Sequence, residues 1–407
     1  MFHNIAGGVT SAKGYVAAAV HAGIKSRNAD KLDLAVVISQ QPAAAAGVFT
    51  QNKYAAAPVK WCRQVQQGGK AQAFIVNSGI ANAVTSQQGM KQAAAMAEIA
   101  AKMAGCAPEQ IFVCSTGVIG PQIPMDKVAA GAQQMTDKLS PEGGHRAALA
   151  IMTTDTVAKE AALTFSLGGK LITIGGMAKG SGMIMPNMAT MLAFLTTDAA
   201  ITPQLLQQAL QQATAKSFNM ICVDGDTSTN DSYVALANGM AGNPLIAAEN
   251  EDYQVFAAAV AELSLILAKK MAADGEGATH LLEVRVTGAK SYGDAAAIAK
   301  AVTASSLVKT AFFGEDANWG RIACAAGYSG ADFDPEQVNI TLSSRVGAEP
   351  VMAKGAGLLF DEAKAAAILH EKEILISLEL GDGDAAATAW GCDLSYDYVK
   401  INGDYRS

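Results

Sequence analysis

Short apolar runs rich in β-branched and aromatic residues alternate along the chain with longer stretches in which apolar positions recur every three or four residues. The first pattern predicts strands over 32–38, 46–50, 73–77, 111–120, 171–179 and 281–286, with two more around 338–342 and 373–380. The second predicts a helix over 87–104, where Met90, Ala94, Met96 and Ile99 repeat on one face and Gly105 ends the run. Further helices are expected over 257–273, from Asp294, and after the Ser140-Pro141 and Thr202-Pro203 pairs, which supply a cap and a proline in the first turn. A Gly381-Asp-Gly-Asp turn between the run at 373–380 and the run to Trp390 predicts a hairpin. Strands and helices interleave in both halves, with hairpins as well as crossovers, so the class is α/β with a mixed, layered sheet.

Composition narrows the function. The chain has 407 residues, of which 50% are hydrophobic and 16% charged, enough for a large core in two domains or one composite domain. A net charge of −7 and the lack of any lysine or arginine run argue against a nucleic-acid partner. No stretch of about 18 apolar residues is free of polar interruption, and Met1-Phe-His-Asn-Ile-Ala-Gly lacks a basic-then-apolar layout, so neither membrane span nor export signal is expected and a cytoplasmic site is. Cys62, Cys106, Cys114, Cys222, Cys324 and Cys392 are scattered without metal-ligand spacing, and the five histidines are isolated, so no metal site is expected. The loop holding Asp224, Asp226 and Asp231 lacks the terminal glutamate of a calcium loop and reads as a packing element.

Chemistry concentrates in the middle of the chain. Lys179 stands beside a Gly-Ser-Gly turn, Pro186 fixes the backbone before Asn187, and the small Ala189 precedes Thr190 and an apolar run. Such a segment suits an N-to-O acyl shift in which the Thr190 hydroxyl attacks the Ala189 carbonyl. Hydrolysis of the ester leaves Thr190 as a new terminus, whose α-amine, with a pKa of about 7.7–8.0, can serve as the base for its own hydroxyl. On composition alone, the same residues also read as a buried strand after a glycine turn.

Lys179-Gly-Ser-Gly-Met followed by Pro186-Asn-Met-Ala-Thr-Met-Leu192 resembles the self-cleavage signature of the ornithine acetyltransferase family, the glutamate N-acetyltransferases of arginine biosynthesis. Companion motifs run from Gly7-Gly8 to the last residue. Asn77-Ser-Gly-Ile-Ala-Asn82 is similar to a family motif but carries Ile80 where asparagine is usual, which removes one polar group. The resemblance implies a layered αββα sandwich with mixed sheets, an ornithine-acetyltransferase/aminopeptidase-like fold, cut between Ala189 and Thr190 into chains 1–189 and 190–407. It assigns the nucleophile to Thr190 and the oxyanion hole to Thr116 and Gly117. Substrate contacts fall on Thr153, with Thr154 as the fallback, and on Lys179, Thr190, Glu276, Asn402 and Ser407. The segment 310–321 is assigned to architecture and subunit packing.

The implied reaction moves an acetyl group from N-acetylornithine to glutamate through an acetyl-threonine, with Lys179 and Glu276 reading the carboxylate and ammonium ends of the amino acid. No cofactor is required, and some members also accept acetyl-CoA as co-substrate. The implied assembly is a heterotetramer of two copies of each chain. Two alternatives stay open in the sequence: an amidohydrolase or aminopeptidase with the same terminal nucleophile and water as acceptor, and an uncut ligand-binding or structural protein.

Overall fold

One long strand organises the molecule. Leu34–Phe49 spans 16 residues, and a register shift between Ile38 and Ala43 divides it into two arms. In the computed structural model, which describes residues 1–25, 31–185 and 191–404, this strand lies inside a nine-stranded mixed sheet. Its first arm pairs antiparallel with Tyr15–Val20 and Lys70–Ile80, and Ile111–Val118 extends that side in parallel. Its second arm pairs with Ser232–Ala237, followed in order by Leu192–Thr197, Lys170–Lys179, Lys159–Leu167 and His3–Ile5.

Alternation along the strands sorts side chains into layers. Leu34, Val36 and Ile38 pack with Met96, Val128 and Met135 of the helices Ser86–Ala104 and Met125–Thr136. Their neighbours Ala35 and Val37 face the other way and join Tyr15, Phe74 and Phe112 against Phe194, Val234 and Leu236 from the second arm. Across that inner layer the Phe74 and Phe194 rings lie 5.1 Å apart, a contact worth about 0.5–1.5 kcal/mol beyond its area burial. The Tyr15 hydroxyl lies 2.9 Å from the Leu236 carbonyl and 3.1 Å from that of Thr197. On the outer face of the second arm, Phe165, Ile174, Leu195 and Tyr233 pack with the helices Pro203–Lys216 and Glu251–Ala273. The layers therefore run helix, sheet, sheet, helix, the αββα order expected.

A seven-stranded mixed sheet forms a second body of the fold that the sequence pattern did not separate from the first. It runs Ala356–Gly357, Gly347–Ala353, Asn339–Ser344, Glu373–Glu379, Leu281–Ala289, Ala385–Cys392 and Ile221–Cys222. The hairpin expected at Gly381 is corrected here. Glu373–Glu379 and Ala385–Cys392 do not pair with each other, because Leu281–Ala289 lies between them, parallel to the first and antiparallel to the second. The segment at 310–321 closes the helix Ser306–Phe313 and opens the helix Trp319–Gly327. Among the described residues no single helix is long and apolar enough to cross a membrane.

Candidate active site

Two strand ends open the site. Lys70–Ile80 and Ile111–Val118 run in parallel so that Ser78 sits beside Thr116 and Gly79 beside Gly117. Gly117 has φ +127°, and a Cβ there would lie 2.3 Å from the Gly79 carbonyl carbon, so only glycine lets the two backbones meet. Strand Lys170–Lys179 delivers Lys179, which is 4% exposed and whose Nζ donates to Thr116 Oγ1 over 3.3 Å. The turn that follows carries Gly182, where a Cβ would lie 2.2 Å from Glu276 Oε2. Glu276 is held against this turn by its amide, which donates to the Ser181 carbonyl over 2.8 Å.

The C-terminal helix Tyr396–Asp404 closes the far side. Asn402 Nδ2 donates to Glu276 Oε2 over 2.7 Å, and the Tyr398 hydroxyl donates to Asp224 over 3.3 Å. Asp224 in turn accepts the backbone amides of Met183 and Ile184, tying the helix to the chain that leads into the central segment. Burial first, and then the Asp224 charge, push the Tyr398 phenol up.

These elements enclose a cavity of about 150 Å³. Thr116, Gly117, Thr153, Lys179, Glu276 and Asn402 all line it, so six positions selected from five separate stretches of sequence converge on one place. Thr154 lines it as well; its hydroxyl is shared with that of Ser181 at 2.7 Å, whereas the Thr153 amide donates to Asp155 over 3.0 Å. Ala189, Thr190 and Ser407 lie outside the described residues. The described chain before the central segment reaches the cavity, and the chain after it is tied to Asp231, the neighbour of the lining residue Asn230. Met183 lines the cavity, and the Met191 amide donates to Asp231 Oδ1 over 2.7 Å.

Sequence reasoning missed three residues. Asn230 lines the cavity and joins the two halves of the chain, its Nδ2 donating to the carbonyls of Ala81 at 2.6 Å and Ser115 at 2.8 Å. Asp231 is fully buried, its Oδ2 has no hydrogen-bond partner among the described residues, and burial raises its carboxyl well above the usual range. Asp155 is the third. Burial alone would raise it, but the Lys179 and Lys159 charges with the Lys159 and Thr153 hydrogen bonds outweigh that and hold it at about 2. Burial lowers Lys179, with Asp155 opposing. The polar run Ser228-Thr-Asn-Asp231 after a strand was the available signal for the first two. Its packing role is also present, since the Thr50 hydroxyl donates to the Ser228 carbonyl over 2.9 Å.

Residues 16–407 match the ArgJ family. The chain is 55% identical over 403 residues to the arginine biosynthesis bifunctional protein ArgJ of Symbiobacterium thermophilum, covering 99% of each. It is 50% identical over 395 residues to the protein of the same name from Caldanaerobacter subterraneus subsp. tengcongensis, covering 97% of each. Among solved structures, the arginine biosynthesis bifunctional protein of Bacillus halodurans matches with a TM-score of 0.51 and 46% identity, over 53% of this chain and the whole of that one. Fold, cavity and relatives define an acetyltransferase of arginine biosynthesis. The chain belongs to the ArgJ family.

Proposed function

We propose that this enzyme moves the acetyl group of N-acetylornithine to glutamate by way of an acetyl ester on Thr190, after the chain has cut itself between Ala189 and Thr190. The observation that carries the reading is the single cavity that gathers Thr116, Gly117, Thr153, Lys179, Glu276 and Asn402 beside the two anchored ends of the central segment. In the acetylation step the Thr190 hydroxyl attacks the acetyl carbonyl, and the freed α-amine of the same residue takes its proton. The Thr116–Gly117 strand end holds the negative oxygen of the tetrahedral intermediate, a role worth about 3–4 kcal/mol where one donor has been removed in other acyl-transfer enzymes. Collapse expels ornithine, glutamate enters the same cavity, and the acetyl group passes to its amine. Lys179 receives the carboxylate of either amino acid and Glu276 its ammonium group, with Thr153, Asn402 and Ser407 completing the contacts.

The half-length match supports the cut. The solved Bacillus halodurans chain corresponds over its whole length to 53% of this one, a share that residues 190–407 would also occupy. Acetyl-CoA enters the reading as a second donor to glutamate, in keeping with the word bifunctional in the relatives' names. The assembly is proposed as two copies of each chain, with a native mass twice that of one 41.8 kDa polypeptide.

Intact mass of the purified protein, before and after incubation with N-acetylornithine, tests the reading. Two fragments are expected, and one acetyl group on the fragment that begins at Thr190; glutamate then removes it as N-acetylglutamate. Thr190→Ala is expected to stay as one uncut, inactive chain, and a cut product from this variant rejects the assignment. Release of acetate in place of transfer to glutamate identifies a hydrolase.

A further inference from the structure

Beneath the cavity lies a buried chain of charges that touches three of its walls. Lys159, fully buried, donates over 2.6 Å to Asp155 Oδ1 and over 2.6 Å to Asp274 Oδ2. Asp155 Oδ1 also accepts the Gly180 amide at 2.7 Å, and its Oδ2 accepts the Thr153 amide at 3.0 Å. Asp274 accepts both the amide and the hydroxyl of Thr156 and stands two residues before Glu276. One carboxylate thus fixes the turn that presents Thr153 and the turn that follows Lys179, and one lysine links both to the turn that presents Glu276.

We propose that Asp155 is the positioning residue of this site, setting through Gly180, Thr153 and the Lys159–Asp274 link the arrangement in which Lys179 and Glu276 read the two ends of an amino acid. The inference rests on the substrate reading above and adds to it a residue that does not line the cavity. A buried ion pair by itself is weak evidence of a stabilising role. Here the two backbone amides taken up by Asp155 belong to the stretches that carry binding groups, so its loss displaces them together.

Asp155 also acts on charge. The groups facing Lys179 are Asp155 and Lys159 from the 153–160 stretch, Glu276 from the 274–276 turn and Asp231 just before the strand Ser232–Ala237, with Lys25 farther out and the Thr116 hydroxyl in contact. Lys179 must carry its proton to hold a carboxylate, and burial works against that. Asp155 opposes burial, so without it the lysine loses its proton at a lower pH.

The test is Asp155→Asn in the full-length, self-processed protein. The expected result is a KM for N-acetylornithine and for glutamate raised about tenfold or more with kcat little changed. The alkaline limb of kcat/KM should also move toward neutrality. Wild-type KM and an unmoved limb in a variant that is cut normally overturn the proposal. Should Asp155→Asn leave the protein unfolded, since Lys159 would then keep only Asp274 as a counter-charge, the double variant Asp155→Asn/Lys159→Gln decides. A raised KM supports the positioning role, whereas a wild-type KM shows that Asp155 only neutralises Lys159; the limb is not read in this variant, because the lost Asp155 and Lys159 charges act on Lys179 in opposite directions. Absence of transfer by the wild-type enzyme sinks the substrate reading and this inference with it; wild-type transfer with an unmoved variant sinks the inference alone.

Discussion

Burial favours the neutral form of Asp231 and outweighs the Met191 amide on Oδ1 and the Lys179 charge, which favour the carboxylate. An acid whose pKa is higher in the folded than in the unfolded chain adds stability that is fully present below the unfolded value and is lost as pH rises through the folded one. Asp231→Asn keeps an oxygen for the Met191 amide and cannot ionise. The variant should therefore melt close to wild type at about pH 4, near the ordinary carboxyl value, and above it by a margin that widens as pH rises from there, by differential scanning calorimetry. A gap that stays constant as pH rises rejects the raised carboxyl. Asp231 and Asp155 escaped sequence reasoning for one physical reason. Thr116, Lys179 and Glu276 were legible because a hydroxyl turn, a lysine beside glycines and a turn acid suggest chemistry by type, and family motifs placed them. An aspartate among hydroxyls and glycines suggests only a cap or a surface turn until the fold buries it against particular amides.

At the scale of elements, the C-terminal helix is attached by contacts to the site and not by a core. None of its described side chains is buried, yet Asn402 and Tyr398 reach Glu276 and Asp224, and the Tyr396 ring stands edge-on to Phe313 at 5.5 Å. Gly277 lets it approach, since a Cβ there would lie 2.7 Å from the Tyr398 amide. Deleting residues 396–407 should leave folding and the cut intact while KM for both amino acids rises about tenfold or more, given that a hydrogen bond to a charged group is worth about 1.5–3 kcal/mol. Steady-state kinetics with intact mass checks this, and an unchanged KM would show that the helix is peripheral. Element existence was well legible from periodicity, as the helix at Ser86–Ala104 and the strand at Lys170–Lys179 show. Partnership was not. The segments flanking Gly381 carry the turn chemistry of a hairpin, yet each satisfies its backbone on an opposite edge of Leu281–Ala289, a strand about a hundred residues earlier.

At the scale of the whole molecule, the resemblance led to the αββα order, but its cause lies in the bend of Leu34–Phe49, which no alternation pattern announces. The stretch reads as two strands, at 32–38 and 46–50, because the polar Gln40-Gln41-Pro42 interrupts it, and the structure carries one strand through that interruption with a register shift. Residues from both sides of position 190 share this one nine-stranded sheet. Leu34–Phe49 is bonded to Ser232–Ala237, and Lys170–Lys179 is bonded to Leu192–Thr197 along six residue pairs, from Ile174 with Thr197 to Lys179 with Leu192.

The proposed cut at Thr190 would make that ladder the seam between two chains and the division a one-way event. While the chain is continuous, its two portions meet at an effective concentration set by a short tether; once divided, they must find each other in solution. Wild-type protein denatured after processing should then renature with a yield that falls on dilution, whereas the undivided Thr190→Ala chain should renature equally well at every concentration, as circular dichroism of the two samples over a dilution series would record.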